Sequence, residues 1–189
     1  YITFKGGKAS ASRGVGLTIQ EGLDLFQADG LRYALAASFP EQADTDISIE
    51  EIARRINEEL VATWGNLVNR VLSMVNKNFG EQPPVEGRTE ADHAVLGAVD
   101  ELLTTANGQL DRVELKAALR TAMDAAQAVN AYLNATEPWK VAKEDPQRAG
   151  VLLGTALDAI NGVRIGFAPF LPFSTEALSE ILGPIEGWS

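Results

Sequence analysis

Ser48-Ile-Glu-Glu-Ile-Ala-Arg-Arg-Ile-Asn-Glu-Glu-Leu-Val-Ala-Thr-Trp-Gly-Asn-Leu-Val-Asn-Arg-Val-Leu-Ser-Met-Val-Asn-Lys-Asn-Phe79 is the stretch that decides the fold. Its apolar residues recur at Ile49, Ile52, Ile56, Leu60, Trp64, Leu67, Val71, Val75 and Phe79. Steps of three and four over this length describe one face of an amphipathic helix. Ser48 with Glu51 forms a capping box that starts it. Gly80 suits its C-terminal cap, and Pro83-Pro84 make the following link stiff and non-helical. At 1.5 Å per residue the helix is ~46 Å long. Gly65 sits in its interior at a cost of ~1 kcal/mol against Ala, which points to close backbone packing or a kink. Trp64 lies on the apolar stripe and belongs to the core. Asn66 and Arg70 are four apart, share one face and lie off that stripe.

Further helices follow on the C-terminal side. Thr89 caps 90–106, which ends near Gly108. Asp111 caps 112–135, which ends before Pro138. Asp145, with Pro146 at the first helical position, opens 146–167. Ser174 caps a short last helix, with Glu176 in its first turn and Gly183-Pro184 ending it. On the N-terminal side, Tyr1 to Phe4 reads as a short strand, and the glycines and small residues from Gly6 to Gly14 as a loop. Thr18 and Glu21 form a capping box for 19–27. Asp29 caps 30–38, which carries Leu31, Ala34, Leu35 and Phe39 on one side and ends at Pro40. Strand is expected only within the first forty residues. Short connections predict antiparallel packing. The expected fold is mainly α: an antiparallel helix bundle over 48–189, preceded by a short strand, a loop and connecting helices over 1–47.

Composition narrows the function. The chain has 189 residues, 46% of them apolar, enough to bury a core without staples. It has no cysteine, which excludes disulfides, thiol catalysis and Cys-ligated metal sites. One histidine, His93, leaves no material for a His-rich cage, so no metal site is expected; His93 itself reads as structural or solvent-facing. No apolar run approaches ~20 residues, so no membrane partner is expected. No secretory signal is visible. The first residue is Tyr, which suggests a piece of a longer chain. A net charge of −10 argues against indiscriminate nucleic-acid binding. Against that balance, residues 1–20 hold Lys5, Lys8 and Arg13 and no acid.

Four stretches carry a more specific signal. Gly7-Lys8 is not a P-loop, because Ile2 and Ala9 stand where Gly and Ser or Thr are needed. Lys8-Ala-Ser10-Ala-Ser12-Arg13 instead resembles the KMSKS loop of class I aminoacyl-tRNA synthetases. Ala11 stands where that family usually has Lys, which removes a positive charge; Arg13 is close enough to substitute. Asp29-Gly-Leu-Arg-Tyr-Ala-Leu35 resembles the helix that follows this loop in the methionine, leucine, isoleucine and valine enzymes, with Asp29 as cap, Leu31 and Leu35 buried, and Arg32 exposed. Arg55 to Arg70 is similar to the helix opening the anticodon-binding bundle of methionyl-tRNA synthetases. Asn130-Ala-Tyr-Leu-Asn-Ala-Thr-Glu-Pro-Trp-Lys140 resembles a helix end and Pro-Trp turn of the same family. The matches run in order over essentially the whole chain.

The resemblance implies the C-terminal part of a methionine–tRNA ligase. Lys8, Ser10, Ser12 and Arg13 would contact ATP, bound with Mg2+ in the full enzyme, and stabilise charge developing on pyrophosphate. Asn66, Arg70, Pro138 and Trp139 would read the CAU anticodon of tRNA(Met). Stacking plus hydrogen bonds is the usual way to recognise splayed loop bases. Asn supplies a donor and an acceptor, Arg a planar fork, Trp a stacking face. The chain alone is expected to hold no cofactor and to be inactive, because methionine and ATP bind to an upstream catalytic domain. The family is cytoplasmic. Plainer readings stand beside these. Asn66 and Arg70 fit a solvated polar face, Trp139 fits a core position, and Arg54 and Arg55 fit either phosphate contacts or solvent. Two other functions also remain open: the anticodon domain of an isoleucine-, valine- or leucine-type ligase, and a non-catalytic helical protein-interaction bundle.

Overall fold

The structure, a computed structural model, describes residues 2–4, 6–8, 16–41, 44–80 and 82–183. Ser10, Ala11, Ser12, Arg13 and Trp188 lie outside the described residues.

The long amphipathic stretch is helical from end to end, with a departure inside it. α3 (Ile49–Arg54) and α4 (Asn66–Phe79) flank a π-helical segment, Arg55–Gly65. The Asn66 N–H donates to the Val61 carbonyl, one residue farther back than in an α-helix. The apolar pattern gives a reason. Ile52, Ile56, Leu60 and Trp64 are spaced by three consecutive steps of four, which outrun a 3.6-residue turn. A wider turn keeps that run on the core side, and Ile52, Leu60 and Trp64 are buried. Gly65 closes the segment. An added Cβ there would meet only Val61, at 3.7 Å, so this glycine marks the change of helix type and not a close approach.

The remaining helices are α1 (Ile19–Leu25), α2 (Ala28–Ala37), α5 (Glu90–Asp111), α6 (Leu115–Thr136), α7 (Pro138–Val141), α8 (Pro146–Phe167) and α9 (Pro172–Leu182). α4, α5, α6 and α8 pack around one core in which Leu67, Val71, Val99, Leu133, Ile160 and Phe167 are nearly inaccessible. Trp64 packs against Phe167, with ring centroids 4.9 Å apart. The stiff link before α5 lies on α8, where Gly150 and Gly154 leave room for it. A Cβ at Gly150 would come 2.7 Å from the Pro84 ring, and one at Gly154 2.8 Å from the Pro84 carbonyl.

Several caps are as expected. Thr18 and Glu21 form a full box, the Ser48 hydroxyl accepts from the Glu51 N–H, and Asp145 accepts from the Arg148 N–H. Others differ. α5 runs through Gly108 to Asp111, so Asp111 ends a helix and does not start one. α9 begins at Pro172, which leaves Ser174 inside it. α2 begins at Ala28, and Asp29 is a buried residue of its first turn. Its burial goes to Tyr33 and to Ala34, Ala36 and Ala37, the alanines small enough for close packing, while Leu35 is 38% exposed. Strand is not confined to the first forty residues. β1 (Ile2–Phe4) pairs antiparallel with β2 (Gly7–Lys8) and parallel with β3 (Thr45–Ile47). A small second core of Ala34, Ile47 and Ile52 lies with Leu17, Phe26, Leu31 and Ile56.

Candidate nucleic-acid interface

The end of α6 builds one side of the site. Glu137 turns the chain with φ of 43°, a left-handed conformation that non-glycine residues rarely take. Its N–H still closes on the Leu133 carbonyl at 2.9 Å. Pro138, buried, then starts α7 at the position where a missing N–H costs nothing. Trp139 follows and stands 37% exposed, so it is neither a core residue nor a free one. Beside it Lys140 pairs with Glu137 at 2.7 Å.

The facing side is α4. The Arg70 guanidinium carbon lies 5.5 Å from the centroid of the Trp139 ring, within cation–π range. Arg70 also donates from Nη2 to Asn130 Oδ1 at 3.4 Å, and its buried Nε has no protein acceptor. Among the described residues, Arg54, Arg55, Arg88, Arg112 and Arg148 each pair with a carboxylate; Arg70 does not. Asn66 is exposed one turn earlier, its amide 3.5 Å from the Ala62 carbonyl. Thus Arg70 and Trp139 meet, Pro138 sets the turn that presents Trp139, and Asn66 lies on the adjoining turn. Asn130, quoted in the fourth stretch but not singled out, completes the cluster. Its signal was an amide residue in a helix interior, where Asn is a poor choice.

The other sequence candidates fare differently. Lys8 lies in β2, opposite Thr3 in the ladder. Asp46 on β3 accepts from Thr3 Oγ1 at 2.6 Å and from the Gly6 N–H at 2.7 Å, fixing the turn that leads to Lys8. Both hydrogen bonds hold the Asp46 carboxyl below the usual carboxylate range. Arg54 and Arg55 are bound into a network with Glu51 and Glu59, at 2.8 and 2.9 Å for Arg54 and 3.0 and 3.4 Å for Arg55. His93 is exposed. A groove of about 750 Å³ between α4, α8 and α9 is lined by none of the candidate residues. Among the described residues no group of three His, Asp or Glu could hold a metal ion, and no helix is long and apolar enough to cross a membrane.

Comparison with known proteins supports the function implied by the resemblance over the two others left open. The family described as "Anticodon binding domain of methionyl tRNA ligase" matches residues 83–188, and "tRNA synthetases class I (M)" matches residues 1–72. The chain belongs to the methionyl-tRNA ligase family. It is homologous to the C-terminal part of these synthetases. Methionine–tRNA ligase of Chloroflexus aggregans is 46% identical over 97% of this chain, and that of Thermobifida fusca 41% over 100%. The chain spans 30% and 31% of their lengths. Mycobacterium tuberculosis methionyl-tRNA synthetase bound by methionyl-adenylate superposes with a TM-score of 0.90 at 26% identity, over 98% of this chain and 37% of its own.

Proposed function

We propose that this chain reads the CAU anticodon of tRNA(Met) for a methionine–tRNA ligase, and supplies the loop that contacts ATP. The carrying observation is the Arg70–Trp139 pair. A guanidinium without a carboxylate partner lies over a partly exposed indole, where a base can stack and present its edge. Asn66 lies one turn away and is exposed, its amide nitrogen held only by a long contact to the Ala62 carbonyl. Residues 1–47 form the loop and connecting region, and 48–189 the anticodon-binding bundle.

In the complete ligase, the methionine carboxylate attacks ATP and pyrophosphate leaves; the aminoacyl group then passes to the terminal adenosine of the tRNA. Lys8 places an ammonium on the pyrophosphate, with Ser10, Ser12 and Arg13 as further contacts, and stabilises charge that grows in the transition state. Mg2+ enters with ATP. The work is done in the cytoplasm. Lys8→Ala in the full-length ligase lowers the rate of adenylate formation much more than it weakens methionine binding; equal effects remove Lys8 from the transition state.

A binding titration tests the anticodon reading. The chain should bind a stem-loop with a CAU anticodon more tightly than one with UAU, at two salt concentrations. Equal affinity for both sequences contradicts it.

A further inference from the structure

We infer that Asn130 is a positioning residue for anticodon recognition, an inference that rests on the reading above. Its amide is used at both ends. Nδ2 donates to the Thr63 carbonyl at 3.1 Å and to the Ala126 carbonyl at 3.2 Å. Oδ1 accepts from Arg70 Nη2 at 3.4 Å. Two carbonyls at one end and a guanidinium at the other leave a single orientation for the amide. Asn130 therefore ties α6 to the π-helical segment at Thr63 and, almost two turns on, to Arg70 in α4.

Arg70 needs that tie. No carboxylate holds it among the described residues, and its Nε has no acceptor. Among the described residues, only the Trp139 face and the Asn130 carbonyl oxygen fix its fork. A long side chain so lightly held swings into solvent when one contact is lost, and its rotamer freedom favours that. The fork reads a base edge only when it is held in place, because planar recognition depends on orientation. Asn130 thus acts on the RNA through Arg70, without touching it. The tie to Thr63 adds a second effect: it fixes the angle at which the π segment delivers α4 to the site.

The test uses a double-mutant cycle on this chain with CAU and UAU stem-loops. Asn130→Ala and Asn130→Ser should each reduce the CAU preference ~five-fold, less than a short hydrogen bond from a charged donor is worth, because the contact is 3.4 Å long. Ser keeps a back-bond to the preceding turn, so it guards against loss of folding in the Ala variant. On an Arg70→Ala background, Asn130→Ala should change the preference by less than about two-fold. A spectroscopic arm works without RNA. In 5-fluorotryptophan-labelled chain, the Trp139 resonance, identified by its loss in Trp139→Phe, should move the same way in Asn130→Ala as in Arg70→Ala. A full cost of Asn130→Ala on the Arg70→Ala background, or an unmoved Trp139 resonance while Arg70→Ala shifts it, overturns the inference. A wild type with no CAU preference overturns the anticodon reading instead, and the fluorine resonance still decides the positioning claim.

Discussion

Two stretches with the same kind of sequence signal meet different fates. In α2, Asp29 and Arg32 are committed to the fold. Asp29 is buried and accepts from the Phe173 N–H at 3.4 Å, the Ser174 N–H at 2.6 Å and the Ser174 hydroxyl. Arg32 donates to the Phe170 carbonyl at 3.1 Å and the Pro169 carbonyl at 2.7 Å, just past the end of α8. In α4 and α7, Arg70 and Trp139 keep each other company and leave their outer surfaces open. A motif residue whose charged group is held by several protein partners ties elements together; one held by a ring and a single neutral amide is left freer to meet a ligand. The connecting helix thus clamps the α8–α9 corner, and the proposed reader stands on the opposite use of similar residue types.

The strongest way to break this contrast is at the committed groups. Asp92 is the extreme case, fully buried. It accepts from Tyr132 Oη at 2.5 Å, from Arg148 at 2.6 and 3.0 Å, and from the Thr89 N–H and hydroxyl at 2.7 and 2.9 Å. Burial pushes its carboxyl up, but Arg148, Tyr132 and Thr89 together outweigh this and hold it well below the usual carboxylate range. Asp92→Asn should cost about 4 kcal/mol at neutral pH, since it strands Arg148. The folded value is depressed, so the contribution is complete above the unfolded value of ~3.9 and is lost as pH falls through the folded one. Urea titrations at several pH values should show wild type and mutant converging below about pH 4.

Asp29→Ala comes next, at about 3 kcal/mol, because three donors lose a charged acceptor. The folded fraction should keep its anticodon preference, which a fluorescence-detected RNA titration checks. Glycines give a smaller version of the contrast. Gly154→Ala drives a Cβ toward the Pro84 carbonyl and should cost about 2 kcal/mol. Gly65→Ala makes only ordinary contact with Val61 and should be stabilising by up to ~1 kcal/mol in the same thermal melts. The smallest stability effect belongs to Trp139→Ala, at about 1 kcal/mol or less, although it should weaken RNA binding by ~1–3 kcal/mol.

Much of this was legible from spacing alone. The apolar stripe and the Thr18, Ser48 and Asp145 caps act within a few residues of themselves, so local rules found them; the Pro-Trp turn was marked by the family resemblance. The misses are long-range. Asp29 has the look of a cap because Asp is a good one, yet its partners are 144 and 145 residues away. β3 is three residues long and pairs with a strand forty-three positions earlier, too short to alternate visibly. Three steps of four hinted at a wider turn, but a single helical period absorbed them. Asn130 was hidden for the same reason: its value lies in Thr63 and Arg70, which no window of α6 contains.

The central claim is that Arg70 and Trp139 read a base while Asp29 holds the fold. The most direct measurement is the ratio of CAU to UAU stem-loop affinity for wild type, Arg70→Ala, Trp139→Ala and Asp29→Asn, taken at two salt concentrations under conditions where all four are folded. The account predicts a clear CAU preference in wild type and Asp29→Asn, and a reduced one in Arg70→Ala and Trp139→Ala. A phosphate contact would weaken both RNAs alike and lower the salt slope. An unchanged ratio in Arg70→Ala and Trp139→Ala, or its loss in Asp29→Asn, contradicts the account.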